Sequence, residues 1–133
     1  MPVIFSRAGE YAIRGLIEMA RHPEQKNWKI QDLAERTNAP APYLAKTFQT
    51  LVRSQMLNSI KGRGGGFSFA VPSKNISLMD IVNIIDVPRL SRSCALGCPE
   101  CDNSNECPIH EKWGPIRDMI IHTLSKPLDE FTH

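Results

Sequence analysis

The sequence predicts a mainly α fold: a winged helix-turn-helix with a two-stranded wing, followed by a long C-terminal dimerisation helix. Three observations carry this prediction. Apolar residues recur at helical spacing as far as Arg53. The period then shortens to that of two strands flanking a basic, glycine-rich run, Lys61-Gly62-Arg63-Gly64-Gly65-Gly66. A wide apolar stripe returns near the C-terminus, after a loop that holds every cysteine. At 133 residues the chain suits one domain with a short appendage.

Each element has a local reason. Ile13, Leu16, Ile17 and Ala20 fall at i, i+3, i+4 and i+7, which predicts a helix over about 6–21, capped by Ser6 and ended by His22-Pro23. Ile30, Leu33 and Ala34 predict a short second helix over about 29–36, and Thr37-Asn38-Ala39-Pro40 breaks it. A third helix starts near Pro42, with proline in its first turn. Leu44, Phe48, Leu51 and Val52 form its inner face; Tyr43, Lys46, Thr47, Gln49, Thr50 and Arg53 form its outer face. Leu57 to Ile60 and Phe67 to Val71 read as the strands of the wing. Ser77-Leu78-Met79-Asp80 is a capping-box pattern, with Asp in place of Glu, opening a helix over about 78–86 that Val87-Pro88 stops. Residues 89–108 show no regular period. The last helix starts near Pro108, with Ile109, Trp113, Ile116 and Ile120 at 4-3-4 spacing and Met119 and Leu124 alongside. The preceding residues already supply a core, so this stripe is read as burying itself against a second subunit; packing on its own domain is the alternative. The chain thus divides into a winged helix-turn-helix at 1–88, a cysteine-rich loop at 89–108, and a dimerisation helix with its tail at 109–133.

The net charge of +2 hides an asymmetry. Residues 1–35 are neutral, residues 36–79 carry six bases and no carboxylate side chain, and residues 80–133 carry five bases against nine acids. A basic middle third suggests a polyanion partner, although a merely solvated surface has the same composition. No stretch is apolar enough to span a membrane and the N-terminus lacks a signal-peptide h-region, which points to a cytoplasmic protein with no membrane partner.

In a helix-turn-helix the third helix would enter the major groove. Tyr43, Thr47, Gln49 and Thr50 could reach base edges, and Lys46 and Arg53 could reach phosphate or guanine. Lys61 and Arg63 would serve the DNA backbone or the minor groove from the wing. Singly, each has a bland reading as a solvated side chain, and Tyr43 could simply cover the edge of the core. Gly64-Gly65-Gly66 is not a nucleotide-binding loop, since the Lys-Ser/Thr ending and the strand–helix context are missing.

Cys94, Cys98, Cys101 and Cys107, with His110, put four thiols and an imidazole within one short segment. Thiolates select soft metals. Cys98-x-x-Cys101 and Cys107-x-x-His110 form two pairs that suit tetrahedral zinc, and an iron–sulfur cluster fits the spacing as well. A thiol–disulfide switch is a third option, and His110 has a bland reading as a solvated residue at a helix start.

The run Ser6-Arg-Ala-Gly-Glu-Tyr-Ala12, then Tyr43-Leu44, Arg63-Gly-Gly-Gly-Phe67, Leu78-Met-Asp-Ile81, the cysteine loop and Trp113 resembles the Rrf2 family of bacterial regulators, over nearly the whole chain and in order. That family includes iron–sulfur cluster regulators and nitric-oxide-sensing repressors. The resemblance implies a homodimer, duplex DNA with a pseudo-palindromic operator as partner, and in many members a 2Fe-2S or 4Fe-4S cluster held by three cysteines. Matched on spacing, Cys94, Cys101 and Cys107 are the three, and Cys98 is extra: it could replace one ligand, serve as a spare thiol or convert the site to four cysteines. The fourth ligand would be His110, separated from the last cysteine by two residues, or Glu10, where other members place a carboxylate. If it is not a ligand, Glu10 is a first-turn carboxylate favoured by the helix dipole.

The expected function is a dimeric DNA-binding transcriptional regulator, not an enzyme, that senses redox state, nitric oxide or iron–sulfur status. One alternative keeps the winged helix with structural zinc or a thiol switch in the loop. Another is a small redox or electron-transfer protein, which the missing βαβ context of the Cys-x-x-Cys pair disfavours. A winged helix that binds protein in place of DNA is a third.

Overall fold

The computed structural model describes residues 5–86 and 109–132. Among them, α1 spans Arg7–Arg21, α2 Ile30–Thr37, α3 Ala41–Arg53, α4 Leu78–Ile85 and α5 His110–Leu124. Strands β1, Leu57–Ile60, and β2, Gly66–Phe69, pair antiparallel, with Leu57 opposite Phe69 and Ile60 opposite Gly66. The predicted elements are all present. The second strand ends two residues earlier than its composition suggested, and the Val87-Pro88 stop lies outside the described residues.

The ends of the helices follow their side chains. The Ser6 hydroxyl accepts from the Gly9 N–H at 3.0 Å and caps α1. Asn38 takes a left-handed conformation (φ 54°, ψ 47°) after α2, a geometry asparagine tolerates better than most residues. Ser77 and Asp80 complete the reciprocal capping box of α4, each bonding the other's main-chain N–H at 3.0 Å.

The core gathers the inner faces of α1 to α4 and the base of the wing. Leu16, Leu33, Leu44, Phe48, Leu51 and Ile81 are wholly buried within it. Phe48 lies at its centre. Its ring meets Phe67 of β2 edge-on, with centroids 5.4 Å apart and planes at 88°. It also lies against Gly15 of α1, where an added Cβ would come within 2.8 Å of the Phe48 ring. Between α1 and α2, Glu18 draws Arg21, His22 and Arg36 together, and the Arg36 guanidinium lies 5.1 Å above the Trp28 ring.

Two features were not read from the sequence. Trp28 is almost fully buried and adds an isolated bridge to the wing: its N–H donates to the Phe67 carbonyl at 2.8 Å, and the Phe67 N–H donates back at 2.7 Å. The C-terminal tail also returns to the core. Its 3-10 turn, Leu128–Phe131, packs on another at Ser73–Asn75; Leu128 is fully buried and donates its N–H to the Ile76 carbonyl at 2.8 Å. Leu124 is buried as well, while Ile116 and Met119 are 51% and 71% exposed. The apolar stripe of α5 is therefore shared between the chain's own core and open surface. No helix among the described residues is long and apolar enough to cross a membrane.

Replacing Gly15 with alanine tests the α1–α3 contact. Alanine raises helix propensity by about 1 kcal/mol. Overpacking against Phe48 costs about 1–3 kcal/mol. Gly15→Ala is expected to lower the midpoint of urea unfolding; a raised midpoint would show that the ring yields freely.

Candidate nucleic-acid interface

α2, the turn at Asn38 to Pro40 and α3 form the helix-turn-helix, and the core residues Leu44, Phe48 and Leu51 fix which side of α3 faces outward. Lys46, Gln49 and Arg53 are exposed on that outer side, and Tyr43 is 43% exposed. Thr50 is half-buried; its hydroxyl accepts from Arg53 Nη2 at 3.2 Å. Thr47 requires a correction. It is 5% exposed, and its hydroxyl donates to the Tyr43 carbonyl at 3.0 Å. Position 47 follows Leu44 by three and precedes Leu51 by four, so it lies on the line of the buried stripe and not on the reading face.

Lys61 and Arg63 are exposed on the wing. The wing's position is set by Asn27, which belongs to no motif of the sequence. Asn27 Nδ2 donates to the Gly64 carbonyl at 2.7 Å and to the Gly65 carbonyl at 3.2 Å. Beside it, Gly66 adopts φ 155°, and an added Cβ there would collide with the Trp28 carbonyl at 2.4 Å. The turn carrying the two basic residues is thus clamped to the segment between α1 and α2. The only advance signal was an amide side chain ahead of the buried Trp28.

The first helix adds to this face. Tyr11 and Tyr43 pack edge-on with centroids 5.3 Å apart, and the Arg14 guanidinium lies 5.0 Å from the Tyr11 ring centre. A hydrogen bond with the Tyr11 side chain, reinforced by nearby Glu10, raises the Arg7 pKa above its ordinary value. Arg7 and Arg14 are exposed, seven residues apart, and off the apolar stripe of α1; that spacing was the signal for them. They flank Glu10, which is exposed in the first turn.

Not every base of the middle third belongs to the face. Arg36 lies 3.6 Å from Glu18, and Lys74 sits in the 3-10 turn beside a cleft of about 570 Å³ behind the wing. The basic face therefore comprises Lys46, Arg53, Lys61 and Arg63, joined by Arg7 and Arg14. α3 and the wing carry no carboxylate side chain.

Of the candidate metal ligands, Cys94, Cys98, Cys101 and Cys107 lie outside the described residues. His110 opens α5, and its side chain is likewise outside them. Among the described residues, no group of three or more His, Cys, Asp or Glu side chains could hold a metal ion.

The sequence profile of the Rrf2 family, described as iron-dependent transcriptional regulator, matches residues 5–127. A Haemophilus influenzae HTH-type transcriptional regulator is 30% identical over 118 residues, spanning 89% of this chain and 78% of its own length. The regulator IscR of Vibrio cholerae is 26% identical over 117 residues, spanning 88% of this chain and 67% of its own. In fold, the chain is similar to CymR, the global cysteine regulator of B. subtilis, with a TM-score of 0.80 at 23% identity, covering 98% of this chain and 97% of that one. It is similar to T. potens IscR with a TM-score of 0.72 at 20% identity, covering 98% and 88%. These relatives are transcriptional regulators, not enzymes, and the chain belongs to the Rrf2 family.

Proposed function

We propose that this transcriptional regulator acts in the cytoplasm as a homodimer on a pseudo-palindromic DNA operator, and that an iron–sulfur cluster in its cysteine segment makes DNA binding depend on redox state, nitric oxide or cluster supply. The observation that carries the DNA reading is the face just described. A polar, carboxylate-free helix stands beside a clamped basic wing, with arginines from α1 at its edge. α3 enters the major groove, with Tyr43, Gln49 and Thr50 toward base edges and Lys46 and Arg53 toward phosphate or guanine. Lys61 and Arg63 reach the DNA backbone or the minor groove; Arg7 and Arg14 add phosphate contacts.

The chemistry of the donor set supports a cluster. Residues 94–107 offer four soft thiols, and the family profile is described as iron-dependent. Cys94, Cys101 and Cys107 would hold the cluster, with Cys98 as an additional thiol and Glu10 or His110 as fourth ligand. When bound, a 2Fe-2S or 4Fe-4S cluster would supply an iron–thiolate centre that responds to oxidants and nitric oxide. Residues 1–88 serve as the DNA-binding unit, 89–108 as the sensing loop and 109–133 as the dimerisation element. Ile116 and Met119, exposed on α5, support a second copy as the partner of that helix. A dimer would present its two reading helices about one DNA turn, ~34 Å, apart.

Three measurements test this reading. Lys46→Ala and Arg63→Ala should each weaken binding across sequences and reduce the salt-dependence slope by about one; unchanged affinity in both would refute the docking. Protein purified without oxygen should be brown, contain iron and sulfide, and bleach with oxygen or nitric oxide, whereas colourless protein with stoichiometric zinc would replace the cluster with a structural metal. Met119→Glu should convert a dimer to a monomer in light scattering. A variant that retains the dimer mass would remove this face from the interface.

A further inference from the structure

Asp86 closes α4 and is the last described residue before the cysteine segment. It belongs to neither the reading face nor the proposed ligand set, yet its carboxylate is fully engaged. One oxygen accepts from the Ser6 main-chain N–H at 3.1 Å, and the other accepts from the Ser6 hydroxyl. Ser6 is the N-cap of α1, so a carboxylate from the end of one helix completes the cap of another, at the positive end of that helix's dipole.

The first turn of α1 is shaped to receive it. Gly9 leaves the space in which a Cβ would stand 2.9 Å from Asp86 Oδ2. One residue before Asp86, Ile85 lines a small cavity of about 180 Å³ together with Ala8, Tyr43, Lys46, Thr47 and Thr50. The end of α4 therefore meets the cap of α1 through Asp86 and the flank of the reading helix through Ile85. α1 in turn touches the reading helix through the Tyr11–Tyr43 ring pair.

We propose that Asp86 is a positioning residue that couples the cysteine segment to the reading helix: its grip on the Ser6 cap seats the end of α4 between α1 and α3, so that a change in the segment that follows is felt at Tyr43 and Lys46. The coupling rests on the cluster reading above. The hydrogen bonds and the fit at Gly9 do not. A rigid contact between two packed elements transmits in this way only when the two states of the sensor differ in how they load it.

The test compares full-length wild type with Asp86→Asn and Gly9→Ala. Asparagine keeps the size of Asp86 and removes its charge. Alanine at position 9 improves helix propensity while displacing only the far end of the Asp86 side chain, so a folding failure in the first variant does not decide the outcome. Each protein is prepared metal-free and reconstituted with ferrous iron and sulfide. Affinity is measured for a duplex that the wild type selects from a random pool, and hydrogen exchange is measured for the Ser6 amide, which donates to Asp86.

Both variants should exchange the Ser6 amide about tenfold faster, as expected for a weakened charge-assisted hydrogen bond. Both should retain the reconstituted visible spectrum, and the ratio of loaded to metal-free affinity should move toward one. Faster exchange with an unchanged ratio would overturn the coupling. Unchanged exchange would overturn the contact itself. A wild-type ratio of one would overturn the cluster-sensing reading, and the coupling with it, while leaving the exchange result to stand by itself.

Discussion

The packing of Phe48 against Gly15 and Phe67 fixes the relation between α1, α3 and the wing. Phe48 belongs to α3, Gly15 to α1 and Phe67 to the wing. Fully burying such a ring contributes about 1.5–3 kcal/mol from removal of apolar surface alone. The larger consequence is geometric. Because α1 has no side chain at position 15, α3 can approach it closely. Because the ring meets Phe67 at its edge, the wing sits at a set distance from the helix it flanks. The polar residues of α3 and the basic residues of the wing then share one side of the molecule.

Charge on this face is arranged by packing more than by composition. The middle third carries six bases, but Arg36 is drawn to Glu18 and the face of Trp28, and Lys74 points its segment toward a different cleft. The neutral first segment restores what these two subtract, since Arg7 and Arg14 stand beside Tyr11 and thereby beside Tyr43. Exposed charges of this kind contribute little to stability. Their value lies in the potential they present to a polyanion, which steers association and makes it sensitive to salt.

The C-terminal helix joins two roles that the amino-acid pattern alone separates poorly. Leu124 and Leu128 are buried in the core, with Leu128 bonded to the Ile76 carbonyl, while Ile116 and Met119 are exposed. The helix is thus anchored at its C-terminal end. The segment with the four cysteines runs from Asp86, held on the α1 cap, to Ile109 at the head of this helix.

The sequence by itself determined the helices, the wing and their order, because each is set by local periodicity, a cap or a turn: Ser6, the Ser77–Asp80 box, Asn38 and the glycine run all act over a few residues. It also located Lys46, Arg53, Lys61 and Arg63 on exposed positions of α3 and the wing, and grouped the thiols. Contacts between residues far apart in sequence were decided only in the tertiary structure. Thr47 has the spacing of the buried stripe but a polar side chain, and only the fold shows its hydroxyl satisfied by the Tyr43 carbonyl, which lets it be buried. Asn27 on the wing turn, Asp86 on the α1 cap and Leu128 in the core bridge 37, 80 and some fifty residues respectively. No periodicity encodes such pairings; they exist because close packing brings a donor, an acceptor or a hydrophobic side chain to the one place where a complementary group is already held.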